Sequence, residues 1–314
     1  MSAPTATSPP PTRTKKRRGD LVFAGATRAS AGVILVALAA VAIFLTTQGL
    51  PGLTAPESRL GGESTFIAYV WPLLYGTLLA AAIAIIVATP LAIGVALVIS
   101  HYAPRRLAQP IGYVIDLLAA VPSVVYGLWG VAFLGPQLVP VYRWLEDNLG
   151  FLPFFAGPSS GTGRTILTAG IVLAIMALPI ITAICREIFA QTPRLHEEAA
   201  LALGATRFEM IRMAVLPYAR SGIISAVMLG LGRALGETMA VALVLSGARI
   251  ITVDVITSPS PSTIAANIVN GFPEATGVGV NVLIATGLVL FVVTFAVNFT
   301  ARLIVARSER NTVR

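Results

Sequence analysis

EAALALGATRFEMIRMAVLP, residues 198–217, lies between two long apolar segments of a 314-residue chain. The stretch is polar and charged, and the chain around it is not: 56% of the residues are hydrophobic and 11% charged. A soluble domain carries about a quarter charged residues. Lipid is therefore the solvent for most of this chain, and a polar segment between two apolar ones has to lie outside the hydrocarbon. Within the stretch, Glu198, Ala199 and Ala200 lead, Gly204 follows four positions after Ala200, and Leu216 and Pro217 close it. A short helix, a glycine turn and a second helix satisfy that pattern, because glycine accepts the positive φ of a helix-ending turn.

Outward from this loop, six apolar segments are long enough to cross a bilayer. A spanning helix takes about 20 residues, since the hydrocarbon is about 30 Å thick and each residue rises about 1.5 Å. The segments cover residues 29–48, 69–99, 111–134, 165–184, 221–245 and 280–305. The expected fold is all-α, a polytopic membrane protein with six transmembrane helices over residues 29–305. A basic tail, 1–28, is expected to be disordered and cytoplasmic, and a short cytoplasmic end, 306–314, follows the last span. The apolar run after the tail closes with Thr46, Thr47 and Gln48 rather than a small-residue cleavage site, as an uncleaved signal-anchor would.

Lys and Arg accumulate in the short cytoplasmic loops of membrane proteins. With the N-terminus inside, 17 of the 22 basic residues fall on cytoplasmic segments, five of them between 186 and 220. Four fall outside (Arg59, Arg143, Arg164, Arg249), and Arg233 lies within a span. Both termini and the loop 186–220 are then cytoplasmic. The net charge of +8 does not indicate nucleic acid, because the basic residues are spread over the flanks of apolar segments rather than gathered on one compact domain. Two histidines and one cysteine leave no material for a histidine/cysteine metal cage, and Cys185 reads as a small buried residue.

Other features refine this plan. Gly76, Ala80, Ala84 and Ala88 recur every four residues in the second span, a face that lets helices approach closely in lipid. Pro72, Pro90, Pro122 and Pro179 lie where they kink or end helices. The aromatics Tyr142, Trp144, Phe151, Phe154 and Phe155 follow the third span and suggest a helix anchored at the headgroups. Residues 247–278, an outside loop by the charge count, are rich in Ser, Pro and Thr, with Ser258-Pro259-Ser260-Pro261-Ser262 among them.

The pattern Glu198-Ala199-Ala200, Gly204 and Leu216-Pro217 resembles the EAA loop of permease subunits in bacterial ABC importers, with Ala214 where isoleucine is often found. Val121 to Gly130 (VPSVVYGLWG) and Arg233 to Val241 (RALGETMAV) resemble the C-type permease, PstC, of phosphate-specific importers. The related A-type subunit has a Gly-Glu-Thr element, usually without the Met-Ala-Val ending. The resemblance covers residues 30–305 and implies the type I ABC importer permease fold in a bacterial inner membrane. It implies a non-catalytic channel subunit whose partners are an A-type permease, a homodimeric ATP-binding subunit and an external phosphate-binding protein. Glu198, Ala199, Ala200, Gly204, Leu216 and Pro217 would couple it to the ATPase. The chain itself has no G-x-x-x-x-G-K-[ST] loop, so ATP hydrolysis falls to the partner and no cofactor is expected.

Asp116, Arg233 and Glu237 stand within the expected spans. Each costs about 2.5–3.5 kcal/mol at the bilayer centre, so each should face protein or water. Arg233 and Glu237 are four residues apart and share a face on a continuous helix. One reading makes that face an anion path, since arginine offers phosphate a permanent charge and a planar fork of donors. The other makes it a structural ion pair. Asp116, near the cytoplasmic end of its span, suits helix packing as well as transport. Sulfate or molybdate remain open as alternatives to phosphate. A proton-coupled carrier using these three residues as a relay is a different class, but it needs no EAA loop. A membrane anchor is a third, and there buried charges would be a needless cost.

Overall fold

The computed structural model describes residues 18–312. Five long helices dominate: α1 (Arg18–Leu53), α2 (Phe66–Leu97), α6 (Ile166–Ala190), α9 (Leu216–Gly236) and α12 (Val278–Thr312). Shorter ones stand between them: α3 (Arg105–Ala120), α4 (Ser123–Trp129), α5 (Gly135–Leu149), α7 (Arg194–Ala202), α8 (Arg207–Met210), α10 (Met239–Val244) and α11 (Ile264–Gly271). Two-residue strands, β1 (Gly247–Ala248) and β2 (Ser260–Pro261), pair in parallel. Six helical rods are long and apolar enough to cross a membrane: Val22–Leu53, Phe66–Tyr102, Ser123–Leu149, Ile166–Ala190, Arg207–Gly236 and Val278–Leu303. Residues 18–28, expected as tail, are the first turns of α1, and residues 306–312 continue α12. The tail's residues 1–17 lie outside the described residues.

The centre of the molecule is α2 against α6. The small-residue face of α2 runs from Gly76 through Ala80, Ala84, Ala88, Ala92 and Ala96, all buried. Short side chains bring the two backbones close enough for Thr182 on α6 to donate to the Ala92 carbonyl at 3.4 Å. In lipid such close contact, rather than expulsion of water, holds helices together. α1 packs along α12 and is otherwise exposed and apolar on every side, as suits a helix surrounded by acyl chains. Pro72, Pro90 and Pro179 sit inside continuous helices; only Pro122 coincides with a break. There Val121 is extended at ψ 129°, since a proline disfavours the helical region for the residue before it.

α6 serves as a depth gauge for the third crossing. Gly112 and Asp116 of α3 lie beside Arg186, one turn from the C-terminal end of α6. Gly130 meets Val172 near the other end, and Gly135 meets Thr162 and Gly163 beyond it. Residues 112–135 therefore traverse the depth of α6, as the 111–134 segment predicts, but as two helices broken at Val121-Pro122. The unbroken helix runs on, from Ser123 to Leu149 through a π-turn at Gly130–Leu134, so α5 projects past the end of α6.

This corrects the picture of a headgroup helix carrying five aromatics. Tyr142 is buried, its hydroxyl 2.7 Å from Thr168 Oγ1, and Phe155 packs on the core. Trp144, Phe151 and Phe154 are the exposed members. The Ser/Pro/Thr-rich segment after residue 247 packs into the bundle. Ser260, Ser262, Thr263 and Ile264 are buried, and Thr77 Oγ1 accepts the Ile264 N–H at 3.0 Å. Of its own hydroxyls, Thr252 accepts the Asp254 N–H at 3.1 Å and Thr263 the Ala266 N–H at 3.2 Å, while Ser260 Oγ is buried without a partner.

Candidate functional site

The stretch 198–217 forms a compact knob at one end of the bundle. α7 ends in paired bonds, from Ala205 N–H to the Ala200 carbonyl at 3.2 Å and from Gly204 N–H to Leu201 at 3.0 Å. These are the two bonds of a Schellman turn, and they place Gly204 at the left-handed position with φ +88°. The four-residue interval from Ala200 to Gly204 is thus the length of that turn. Thr206 then caps α8 in a reciprocal box with Glu209: the Thr206 hydroxyl accepts the Glu209 N–H at 3.3 Å, and Glu209 Oε2 accepts the Thr206 N–H at 2.8 Å. Glu198 and Ala199 are exposed, Ala200 half-buried. Leu203 is 90% exposed and Phe208 66%.

Leu216 and Pro217 do not end a helix. α8 passes through a π-turn at Ile211–Val215 into α9, with the Leu216 N–H bonded to Ile211. The wider turn accommodates a proline ring that would otherwise press on the preceding turn. From Arg207 to Gly236 the chain is one rod, about 45 Å long at 1.5 Å per residue. Gly222 lies against Ile188 of α6 and Gly230 against Ile181 and Ala177, so Arg233, one turn on, stands near the middle of α6.

The rod breaks there. Glu237 is extended at φ −70°, ψ 127°, and α10 starts at Met239. Arg233 and Glu237 therefore do not share a helical face, and among the described residues they form no ion pair. Glu237 Oε1 instead accepts the Ala240 N–H at 3.2 Å, capping α10. At the other end of α10, Arg164 donates to the carbonyls of Leu243 (3.2 Å), Val244 (3.5 Å) and Leu245 (3.0 Å). A carboxylate at the N-terminus and a guanidinium at the C-terminus match the helix dipole and satisfy the end groups of a six-residue helix. Arg233 has no such role: its Nε is buried without a hydrogen-bond partner.

The two distant motifs meet at this break. α4 packs on α10, and a Cβ on Gly127 would stand 2.8 Å from Ala240 Cα, so this contact requires glycine. The Tyr126 hydroxyl donates to the Leu118 carbonyl at 2.9 Å, bridging the Val121-Pro122 gap. Two interrupted crossings thus lie side by side through the packing of α4 on α10, with Arg233 one turn before the break in the rod. Asp116 is elsewhere, 3.5 Å from Arg186 near the knob end and half exposed, a helix-packing pair rather than a relay with Arg233. Sequence reasoning missed Arg164, counting it only as a loop charge. The sequence carries no signal for it, because residues 221–245 read as one span and the end of α10 that Arg164 caps exists only through the break at Glu237.

A family model for the binding-protein-dependent transport system inner membrane component matches residues 88–310. The phosphate transport system permease protein PstC 2 of Mycobacterium tuberculosis is 45% identical over 300 residues, 92% of this chain and 92% of its own. The phosphate transport system permease protein PstC of Xylella fastidiosa is 41% identical over 308 residues, 93% of this chain and 92% of its own. Among solved structures, a bacterial alginate ABC transporter in complex with an alginate pentasaccharide-bound periplasmic protein matches with a TM-score of 0.57 at 19% identity, over 90% of this chain and 93% of that one. A bacterial ABC transporter that imports alginate matches at 0.55 and 18%, over 92% and 96%. At these identities the likeness concerns the fold, which is that of an ABC importer permease.

Proposed function

Because this chain belongs to the family of binding-protein-dependent transport system inner membrane components, we propose that it is the transmembrane channel subunit of an ATP-driven phosphate importer. The observation that carries the mechanism is the unbroken rod from Arg207 to Gly236. It joins an exposed polar knob to an arginine at a mid-membrane break. The substrate rests on the relatives, which are phosphate permeases over nine-tenths of the chain.

Glu198, Ala199, Ala200, Gly204, Leu216 and Pro217 form the coupling element. Leu195, Leu203 and Phe208, all well exposed on the knob, offer apolar surface to a separate homodimeric ATP-binding subunit. That subunit hydrolyses ATP. An A-type permease completes the channel, and an external protein delivers phosphate. The asymmetry of basic residues supports a cytoplasmic knob and cytoplasmic termini. Arg233, whose Nε has no protein partner, receives the anion in transit, and Glu237 fixes the break beside it rather than neutralising it.

Radiolabelled phosphate uptake in cells lacking this chain, with and without the restored gene, tests the assignment. Uptake restored by the gene and not competed by sulfate or molybdate supports it. Undiminished high-affinity uptake in the deletion strain overturns it.

A further inference from the structure

Where α9 and α12 pass each other they leave an open groove of about 380 Å³, lined by Met228, Ala296, Val297, Thr300 and Ala301. Its walls are apolar. The one hydroxyl, on Thr300, is turned onto its own helix and donates to the Ala296 carbonyl at 2.8 Å. Met228, unbranched and polarisable, makes an adaptable wall.

The depth of the groove follows from the helices. α2 ends at the knob, where His101 lies 3.6 Å from Glu197, so its start is the far end. α12 begins there, with Val282 and Ala285 in one cluster with Phe66 and Tyr69, and runs towards the knob. About 20 residues cross the hydrocarbon, which carries α12 from about residue 280 to about residue 300. The groove therefore lies just inside the hydrocarbon on the knob side, and α12 continues past it to Thr312. α9 runs the other way, from the knob to the break.

Basic residues follow the groove on both helices. On α9, Arg220 is exposed and lies eight residues, about 12 Å, nearer the knob than Met228. On α12, Arg307 comes seven residues after Thr300, close to two turns and about 10 Å, and so returns to the same side of the helix. The two arginines are nearly level. Their surroundings carry the same sign. α1 is antiparallel to α12, with Gly49 against Ala285 and Gly52 against Asn281, so it starts at this end too. Residues 1–28 and 302–314 hold ten Lys or Arg and two acidic residues, and the rest of the chain holds twelve of each. The two terminal segments thus carry the whole net charge of +8.

An apolar groove inside the hydrocarbon, with cations just outside it, is complementary to a phospholipid. Arginine suits a phosphate diester because it stays charged and presents a planar fork of donors. Clustered positive charge at the membrane surface favours lipids with a net negative headgroup over zwitterionic ones. A second apolar helix would fill the groove but offers no anion to the arginines.

We propose that the groove between α9 and α12 binds an anionic phospholipid of the knob-side leaflet, its acyl chain against Met228 and Ala296 and its phosphate held by Arg220 and Arg307. The lipid lies along the rod that joins the knob to Arg233, whichever anion the protein carries.

The test titrates the purified complete importer with phosphatidylglycerol or phosphatidylcholine and reads, by native mass spectrometry, the affinity for the first lipid bound. Wild type should hold phosphatidylglycerol more tightly. Arg220→Gln and Arg307→Gln should each weaken that binding about fivefold, the effect of one basic residue at an anionic surface. Ala296 is exposed, so Ala296→Phe fills the groove with every charge in place and should weaken it too, whereas Ala296→Ser should not. Equal affinity for the two lipids overturns the site. Full phosphatidylglycerol binding by Ala296→Phe, with weakened binding by the arginine variants, reduces it to diffuse surface attraction and overturns the groove. Loss of the A-type permease alone from the Ala296→Phe complex gives the groove to that subunit instead.

Discussion

The two ends of the bundle are built to different rules. Away from the knob, side chains bond to the backbone of neighbouring loops. Asp254, buried, accepts N–H groups from Gly157 and from Ile256, the latter at 3.0 Å. Glu146 accepts from Ser159 at 2.9 Å, and Arg164 holds three carbonyls of the α10 end. At the knob, the Schellman turn and the capping box are internal to the knob itself. Among the described residues, the polar side-chain link between α7 and the helices beneath it is the His101–Glu197 pair. One end is cross-braced and the other is a stiff body on a slender attachment. Under the coupling proposed above, movement applied to the knob would pass along the rod to Arg233 against a braced far end.

The comparison can be broken at either end. Arg233→Gln has the largest expected effect. It removes the charge at the break without touching knob or bracing, and loss of a charge-assisted contact of about 2–3 kcal/mol lowers phosphate uptake roughly a hundredfold. The ATPase should still co-purify, and uptake at the normal rate would remove Arg233 from the path. Asp254→Ala leaves two loop N–H groups unpaired and should destabilise the braced end by about 2 kcal/mol, read as earlier thermal unfolding of the purified complex. If unfolding is unchanged, the bracing is nominal.

Gly204 sharpens the contrast at the knob. A Cβ there meets no atom within 4 Å, so the obstacle to substitution is the sign of φ alone. Gly204→Val should cost about 1–2 kcal/mol and reduce coupled uptake, whereas Gly204→Asn, which tolerates the left-handed region, should retain most of it. Equal behaviour of the two would mean that the turn does not set the knob's shape. Thr206→Ala, which deletes the N-cap, should have the smallest effect, about 1 kcal/mol of local stability, measured by amide exchange over α8.

Much of this was legible in the sequence because lipid makes composition informative. Helices, their number and the small-residue face of α2 follow from hydropathy and spacing, and the knob follows from the interval between Ala200 and Gly204. What was not legible is where crossings break. A Gly-Glu-Thr run reads as helix by periodicity, and only the packing of α4 on α10 and the Arg164 cap make an interruption cheaper than continuity. The burial of Tyr142 and of the segment after 247 was not legible for a related reason. Composition tells which residues tolerate water, but Ser, Thr and Tyr hydroxyls serve equally well as internal partners for backbone groups.

The π-turn at Ile211–Val215 adds a consequence of its own. A π-turn is a helix with one extra residue in a single turn, and one residue of α-helix corresponds to about 100° of rotation. That single insertion therefore sets the azimuth of everything on the knob side of Val215 relative to the membrane-buried part of the rod. Removing one residue from the turn would leave the chemistry of knob and channel intact while presenting Glu198 and Leu203 to a different quadrant. The compass bearing of the knob is thus written in one residue of helical phase, separately from the chemistry of its surface.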